Sequence, residues 1–469
     1  MLLIFFIQCV IVITLLVASR RRVEDAIPLM SFYLVLMPLE SRFVIPGLCD
    51  FNTMRLSLLT MLAVYVCKKK PANPAPLPLT KLMGLHIVWV VVSTIYSIST
   101  ATSAKQVLSQ TLEYYLLYFL LVKSISRVET IHKTLYAMVL AMGLCSVLAL
   151  TEVFASWSIL RIFPSNLWIT YNGGIDPIYI EAGRGLRVRS TFAHPILFGD
   201  ALAMTIPLTI YLISISKGKG KRLLLWMSLV MMFYADYRTT SRGPWLGTSI
   251  CLVLLLIMVK TGIKKYILSL GMIIAIVLVT RPGVLETMTN LYQATNDPNS
   301  PTGTSYIYRH ALSESVHRAV QTDTTRMLFG YGLGTFREIG LDIDFMGEVD
   351  RSHTCDDNWA LFLYETGYGG VIIMCALLGT AMFLPLRDYF RLRKPERYLS
   401  GVLFISLLGF NFLMLSVAAY AWGQQSYMNW IFISLAVSVP RVVSLQERSK
   451  REDRQTISPP DRAYDLEFA

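Results

Sequence analysis

Long blocks of apolar residues, separated by short charged turns, run through almost the whole chain, and this pattern constrains the fold more than any motif. A bilayer-spanning helix needs about 20 mostly apolar residues. Thirteen windows answer to that description, some of them short: 1–19, 26–40, 53–67, 82–99, 107–122, 131–153, 195–215, 222–237, 243–260, 265–280, 360–385, 399–420 and 426–440. Only 16% of the 469 residues are charged, well under the roughly 25% of soluble domains. These features exclude a soluble enzyme, a nucleic-acid-binding protein and a disordered scaffold as readings of the whole chain. The expected fold is an all-α polytopic membrane protein with 12 or 13 transmembrane helices.

The net charge of +12 is a matter of placement rather than of a nucleic-acid partner, because basic residues beside spans mark the cytoplasmic side. Arg20-Arg21-Arg22, Lys68-Lys69-Lys70, Lys123 with Arg127, Lys217 to Arg222, Lys260 with Lys264 and Lys265, and Arg387 to Arg397 fall at alternate turns. One sidedness satisfies them all. It predicts N-terminal spans over 1–153, a long external loop 154–194, central spans over 195–280, a larger external loop 281–359, C-terminal spans over 360–440, and a polar, disordered cytoplasmic tail 441–469. The first span lacks a preceding basic residue and a convincing cleavage site, so it is expected to be a retained anchor. Of the seven cysteines, only Cys49 and Cys355 fall in external loops, and spacing alone does not decide whether they pair.

Loops as long as the two external ones are uncommon without a function. Within the second, Tyr308, Leu312, Val316 and Ala319 recur at helical spacing, which predicts an amphipathic helix over 304–320. His310 and His317 then lie on its solvated face. Phe329-Gly330-Tyr331-Gly332-Leu333-Gly334-Thr335-Phe336 has no βαβ context, so it reads as a tight turn rather than a dinucleotide loop.

Three stretches could carry chemistry. Arg184, Arg187 and Arg189 enter the 195–215 span from the side that should be poor in positive charge. Guanidinium groups bind phosphate bidentately and stay charged, so an anionic ligand at the outer surface would explain them; pairing with Glu181 and Asp176, or with headgroups, is the plainer alternative. Asp236 to Pro244 forms the whole connection between two spans, which puts Arg238 and Arg242 at the membrane boundary, where charge is costly and marks function. If the helix continued through the turn, both would share one face; snorkelling to headgroups is the alternative. Finally, His353, Asp356 and Asp357 stand just before the 360–385 span. His353 or Asp357 could act as a general base, or His353 could be an ordinary surface histidine. No second carboxylate cluster accompanies Asp356-Asp357, so no metal is expected there, and no nucleotide site is visible.

Taken in order, Arg189-Ser-Thr-Phe-Ala-His194-Pro195, Ser241-Arg242-Gly243, Gly330 to Phe336, and His353 through Asn358 to Glu365-Thr366-Gly367 resemble the O-antigen ligase and polymerase family of bacterial membrane glycosyltransferases. The resemblance covers about residues 180–385. It implies a GT-C-like architecture in a bacterial inner membrane, with an active site on the periplasmic side and neither cofactor nor metal. The implied donor is an undecaprenyl-pyrophosphate-linked oligosaccharide, and the acceptor a glycan or lipid hydroxyl. Arg189 and Arg242, helped by Arg184, Arg187 and Arg238, would bind the pyrophosphate, and His353 would be the base. The Asp-Asn pair nearest the family's register is Asp357-Asn358, which makes Asp357 the alternative base. A polysaccharide polymerase is favoured over a ligase onto lipid A–core. Polysaccharide export or chain-length proteins are candidate partners at the basic tail. A lipid-linked sugar transporter would instead place polar groups along a path within the spans, where Glu113 and Glu152 are the main acidic candidates; a non-catalytic assembly subunit would not need the arginines.

Overall fold

The computed structural model describes residues 2–44, 50–68, 76–163, 177–181, 184–259 and 301–457, with isolated positions between 260 and 300. Twelve of the thirteen apolar windows fall on helices; the window 265–280 lies outside the described residues. By length and composition, four helices can cross a membrane: Val128–Phe154, Pro195–Ile215, Asn358–Arg391, and the segment Gly423–Ser449 of the helix Gly423–Ile457. Four shorter apolar helices, Leu2–Ala18, Thr53–Cys67, Thr80–Ile95 and Arg242–Met258, accompany them. Seventeen helical residues rise about 26 Å, slightly less than a bilayer core. The window 107–122 is not one regular helix either: a π-helical turn, Thr111–Tyr115, interrupts it. The fold is nonetheless mostly helical and polytopic, with only three two-stranded antiparallel hairpins among the described residues.

Pro195–Ile215 is the central helix. It packs against Val128–Phe154, Lys219–Arg238, Arg242–Met258 and Glu396–Leu413. Its sequence is apolar on every side, and 18 of its 21 residues are buried, as expected for a helix enclosed by others. Helix Gly423–Ile457 continues well beyond 441, where a disordered tail was expected. Its extension is rich in Gln, Glu, Arg and Lys, all good helix formers, and it propagates from a helix already nucleated by packing. Residues 458–469 lie outside the described part.

The amphipathic helix of the large loop runs Pro301–Val320, close to expectation. It buries Leu312, Val316 and Val320 with Phe336, Ile343 and Tyr364, while His310 and His317 are exposed. The glycine-rich segment is a turn, and it also locks the loop to the membrane helices. Helix Asn358–Arg391 breaks at Gly367 (φ 66°, ψ −177°), which frees backbone groups around the break. Tyr331 donates its N–H to the Tyr364 carbonyl at 2.8 Å and Gly332 to that of Glu365 at 2.9 Å. The buried Glu365 carboxylate accepts the Gly334 N–H at 2.9 Å. From the other side, Ser93 bonds the Phe329 carbonyl and Trp89 that of Thr366.

Gly330 (φ +70°) sits so close that a Cβ would lie 2.6 Å from backbone atoms of Glu365, Thr366 and Gly367. Gly347 (φ +84°), at a hairpin tip, has nothing within 4 Å of that position. Gly347→Ala is therefore expected to cost only the left-handed conformation, about 1–2 kcal/mol. Gly330→Ala should lower the thermal unfolding midpoint in detergent clearly further, and equal midpoints would refute the docking described here.

Candidate functional site

The segment leading into the central helix forms a small hairpin, Tyr179–Glu181 paired with Gly185–Arg187, which lies against the turn joining Lys219–Arg238 to Arg242–Met258. Arg187 makes the join. It is 1% exposed, and its guanidinium bonds the Thr239 carbonyl at 2.9 Å, the Ser241 hydroxyl at 2.6 Å and the Glu181 carboxylate. Val188 adds a backbone bond to the Arg238 carbonyl. Arg189, 2% exposed, is spent similarly: Nε and Nη2 donate to the Pro177 carbonyl and Nη1 to that of Ala193. Its backbone N–H reaches Glu152 at 2.9 Å. Both guanidiniums are thus buried and hydrogen-bonded within the protein.

The turn itself corrects one expectation. Helix Lys219–Arg238 ends before Thr239, Thr240 takes a left-handed conformation (φ 46°), and a new helix begins at Arg242. Arg238 and Arg242 thus share no helical face, because the chain reverses between them. Arg238 keeps a buried Nε with no hydrogen-bond partner among the described residues. Gly243 and Pro244 lie in the first turn of the new helix, where proline is tolerated.

Arg184 and Arg242 remain partly exposed, and the structure adds a third cation that the sequence reading missed. Arg309, on the amphipathic helix, lies within electrostatic reach of both, and of His194. It pairs with Asp356 at 3.4 Å. Arg184 pairs with Glu181 at 3.3 Å, yet its guanidinium is pushed below its ordinary value, by burial first, with Arg187 and Arg309 adding to the effect against Glu181. His194 caps the central helix, accepting the Ile196 N–H at Nδ1, while Nε2 meets the Tyr179 hydroxyl at 3.1 Å. Burial, and then Arg187, Arg189, Arg309 and Arg184, hold its pKa well below the usual histidine value. Four arginines thus lie within electrostatic reach of this buried ring.

Behind the cations lie Asp200 and Asp236, 1% and 4% exposed. Asp236 accepts from Thr248 at 3.0 Å, whereas both Asp200 oxygens lack a partner among the described residues. The two acidic residues considered for a transport path are engaged elsewhere. Glu113 binds Arg55 at 2.8 Å and the Tyr427 hydroxyl, and Glu152 binds Ser158 and the Arg189 backbone.

Asp357 and His353 occupy different surroundings. Asp357 caps helix Asn358–Arg391, its Oδ1 accepting the Trp359 N–H at 2.7 Å and that of Ala360 at 3.3 Å. Burial raises its pKa, partly offset by those two bonds and then by Arg309 and His317. His353 is exposed just past the end of a hairpin, Leu341–Phe345 with Glu348–Ser352. Its Nδ1 faces the Arg337 carbonyl at 3.2 Å. Since a carbonyl only accepts, Nδ1 carries the proton and Nε2 is left basic. The Cys355 thiol lies 3.0 Å from the Asp357 carbonyl; Cys49 and Asp176 lie outside the described residues. No group of three or more His, Cys, Asp or Glu suited to a metal converges among the described residues.

Arg187→Ala should cost about 3–5 kcal/mol, the usual loss when a buried ionic partner is removed. Arg242→Ala, at a half-exposed position, should leave the unfolding midpoint nearly unchanged. Equal destabilisation of the two variants would contradict this division of roles.

A family model described as O-antigen ligase matches residues 227–374, about a third of the chain. No curated protein matches. The matched segment contains Arg238, Arg242, Arg309, the glycine-rich turn, His353, Asp357 and the Gly367 break, while Arg184, Arg187 and Arg189 precede it.

Proposed function

From a chain that carries an O-antigen ligase family domain over residues 227–374, we propose transfer of a lipid-linked oligosaccharide to a glycan acceptor at the outer face of a bacterial inner membrane. The family is one of glycosyl-transferring membrane enzymes. The observation that carries the reading is the convergence of Arg184, Arg242 and Arg309 beside Asp356 and Asp357, at the end of a membrane helix bundle.

An undecaprenyl pyrophosphate donor suits that arrangement. The acceptor hydroxyl oxygen bonds to the anomeric carbon, the bond from that carbon to the pyrophosphate oxygen breaks, and the hydroxyl proton passes to a base. The departing lipid pyrophosphate gains one negative charge. Fixed guanidiniums at the membrane boundary stabilise that charge as it develops, with no reorganisation at the moment of reaction. Arg184, Arg242 and Arg309 take this role, with Arg238 beside them; Arg187 and Arg189 hold the loop that carries Arg184.

Asp357 is the base in this reading, because its carboxylate lies in the field of Arg309 and next to Asp356, the arginine's ion-pair partner. His353 is the second reading, favoured by the Nδ1 contact that leaves Nε2 basic. Polymerisation of exopolysaccharide or O-antigen repeat units is preferred over ligation to lipid A–core, on the Asp357-Asn358 pair.

Purified protein supplied with lipid-linked oligosaccharide and a chelator should give a ladder of products resolved by size, and Arg242→Ala or Arg309→Ala should abolish it. Transfer of a single unit to lipid A–core would replace the polymerase reading with the ligase. Transport of the lipid-linked sugar across reconstituted vesicles without products would overturn both.

The base is identified by pH. Asp357→Asn preserves the helix cap and should remove activity, while His353→Ala should retain it. A base must be ionised, so activity falls as pH drops through its pKa. For Asp357 that acid limb lies above the ordinary aspartate value of about 3.9 and moves to higher pH in a weakly active Arg309→Lys protein if the cation is displaced. An acid limb that persists in Asp357→Asn and disappears with His353→Ala would assign the role to the histidine.

A further inference from the structure

At the opposite end of helix Asn358–Arg391 from Asp357 lies a cavity of about 330 Å³, lined by Pro76, Pro78, Leu384, Arg387, Asp388, Val437, Pro440 and Arg441. Its walls are mostly prolines and aliphatic side chains, with two guanidiniums and one carboxylate among them. The basic clusters place this end of the bundle at the cytoplasmic boundary, so the cavity belongs to the membrane surface away from the arginines of the candidate site.

The polar groups here are only partly satisfied. Arg387 gives Nε and Nη2 to Asp388 Oδ1, at 3.1 and 2.9 Å. Arg441 gives Nη2 to the Val122 and Ile125 carbonyls, ending the helix Leu116–Ser124. Among the described residues its Nε is buried without a partner, and so is Asp388 Oδ2, in a residue 3% exposed. An isolated carboxylate oxygen at that depth is costly. The set therefore offers guanidinium donors for an anion and one acceptor for a hydroxyl, a combination that a bare phosphate does not match.

Charge selects further. Two arginines and one aspartate leave one positive charge, which one phosphodiester neutralises. We propose that this cavity binds a phospholipid whose headgroup joins an anionic phosphodiester to a free hydroxyl, as in phosphatidylglycerol. The phosphate lies on Arg387 and Arg441, the headgroup hydroxyl donates to Asp388 Oδ2, and an acyl chain follows Leu384 and Val437 into the bilayer. Basic pockets between membrane helices at the cytoplasmic side are suited to such headgroups. The two helix prolines, Pro385 and Pro440, contribute by removing backbone donors and leaving room where the helices would otherwise close up.

Lipid retention by the full chain in detergent, measured by native mass spectrometry, tests this with three probes of identical acyl chains. Phosphatidylglycerol carries both features, phosphatidylmethanol has the phosphodiester without the hydroxyl, and phosphatidylcholine is zwitterionic and lacks a donor. Retention is expected to be at least about tenfold higher for phosphatidylglycerol than for phosphatidylcholine, a factor equivalent to about 1.4 kcal/mol, with phosphatidylmethanol between them. Arg387→Gln should bring phosphatidylglycerol down to the phosphatidylcholine level, and the isosteric Asp388→Asn should narrow its advantage over phosphatidylmethanol. Equal retention of all three lipids by the unmodified protein overturns the proposal, and this comparison decides even if a variant does not fold. Equal retention of phosphatidylglycerol and phosphatidylmethanol overturns it too, as does an unchanged preference in a folded Arg387→Gln protein.

Discussion

A guanidinium sealed from solvent at a membrane boundary must find an acceptor on every edge, and Arg187 finds them on two separate pieces of chain. Its bonds to Thr239, Ser241 and Glu181 fasten the hairpin before the central helix to the turn between two others. The relative positions of Arg184, on the hairpin, and Arg242, just past the turn, follow from that attachment. Arg189 secures the same hairpin from below through the carbonyls of Pro177 and Ala193. Burial is costly for each of these charges, and what it provides here is geometry: two buried arginines hold in place the segments that carry Arg184 and Arg242.

The second constraint is the broken helix. Gly367 interrupts Asn358–Arg391, and the glycine-rich turn fits against the break because Gly330 and Gly332 adopt backbone conformations with φ of +70° and +103°. The large loop is thereby fixed to the same helix that begins at Asp357. Arg309 comes within electrostatic reach of Arg184 and Arg242 because the helix carrying it packs on helix Asn358–Arg391 and on the Leu341–Phe345 strand. The cationic cluster is in this sense assembled by a docking joint more than by local sequence.

That difference explains what could be read from the sequence. Helices were legible because apolar runs and the Tyr308, Leu312, Val316 periodicity are local signals, and the arginines near 184–189 and 238–242 stood out as charge at an interface. Arg309 did not stand out: on a helix with polar residues around it, one arginine looks like a solvated face, and its proximity to Arg242 is tertiary. Arg189 was legible as unusual but not as satisfied, since its partners are backbone carbonyls that no motif records. The shared face expected for Arg238 and Arg242 failed on a single residue, Thr240, whose left-handed conformation reverses the chain. Composition marks where apolar helices lie, while the length of each regular helix depends on breaks such as the π turn at Thr111–Tyr115.

Charge balance connects these observations to chemistry. Around the buried His194, the charges of Arg187, Arg189, Arg309 and Arg184 add to the effect of burial in holding its pKa well below the usual histidine value. Cations held close together favour an anion between them, so anion binding and site organisation would reinforce each other. The ion pair between Arg309 and Asp356, 3.4 Å apart and partly exposed on both sides, is the element most easily exchanged. A pyrophosphate that drew Arg309 away from Asp356 would leave the adjacent carboxylates less neutralised, and Asp357 would then hold a proton more readily. Under the proposed function, the donor's arrival would make the neighbouring carboxylate a stronger base for the acceptor hydroxyl and so couple occupancy of the anion site to activation of the attacking group.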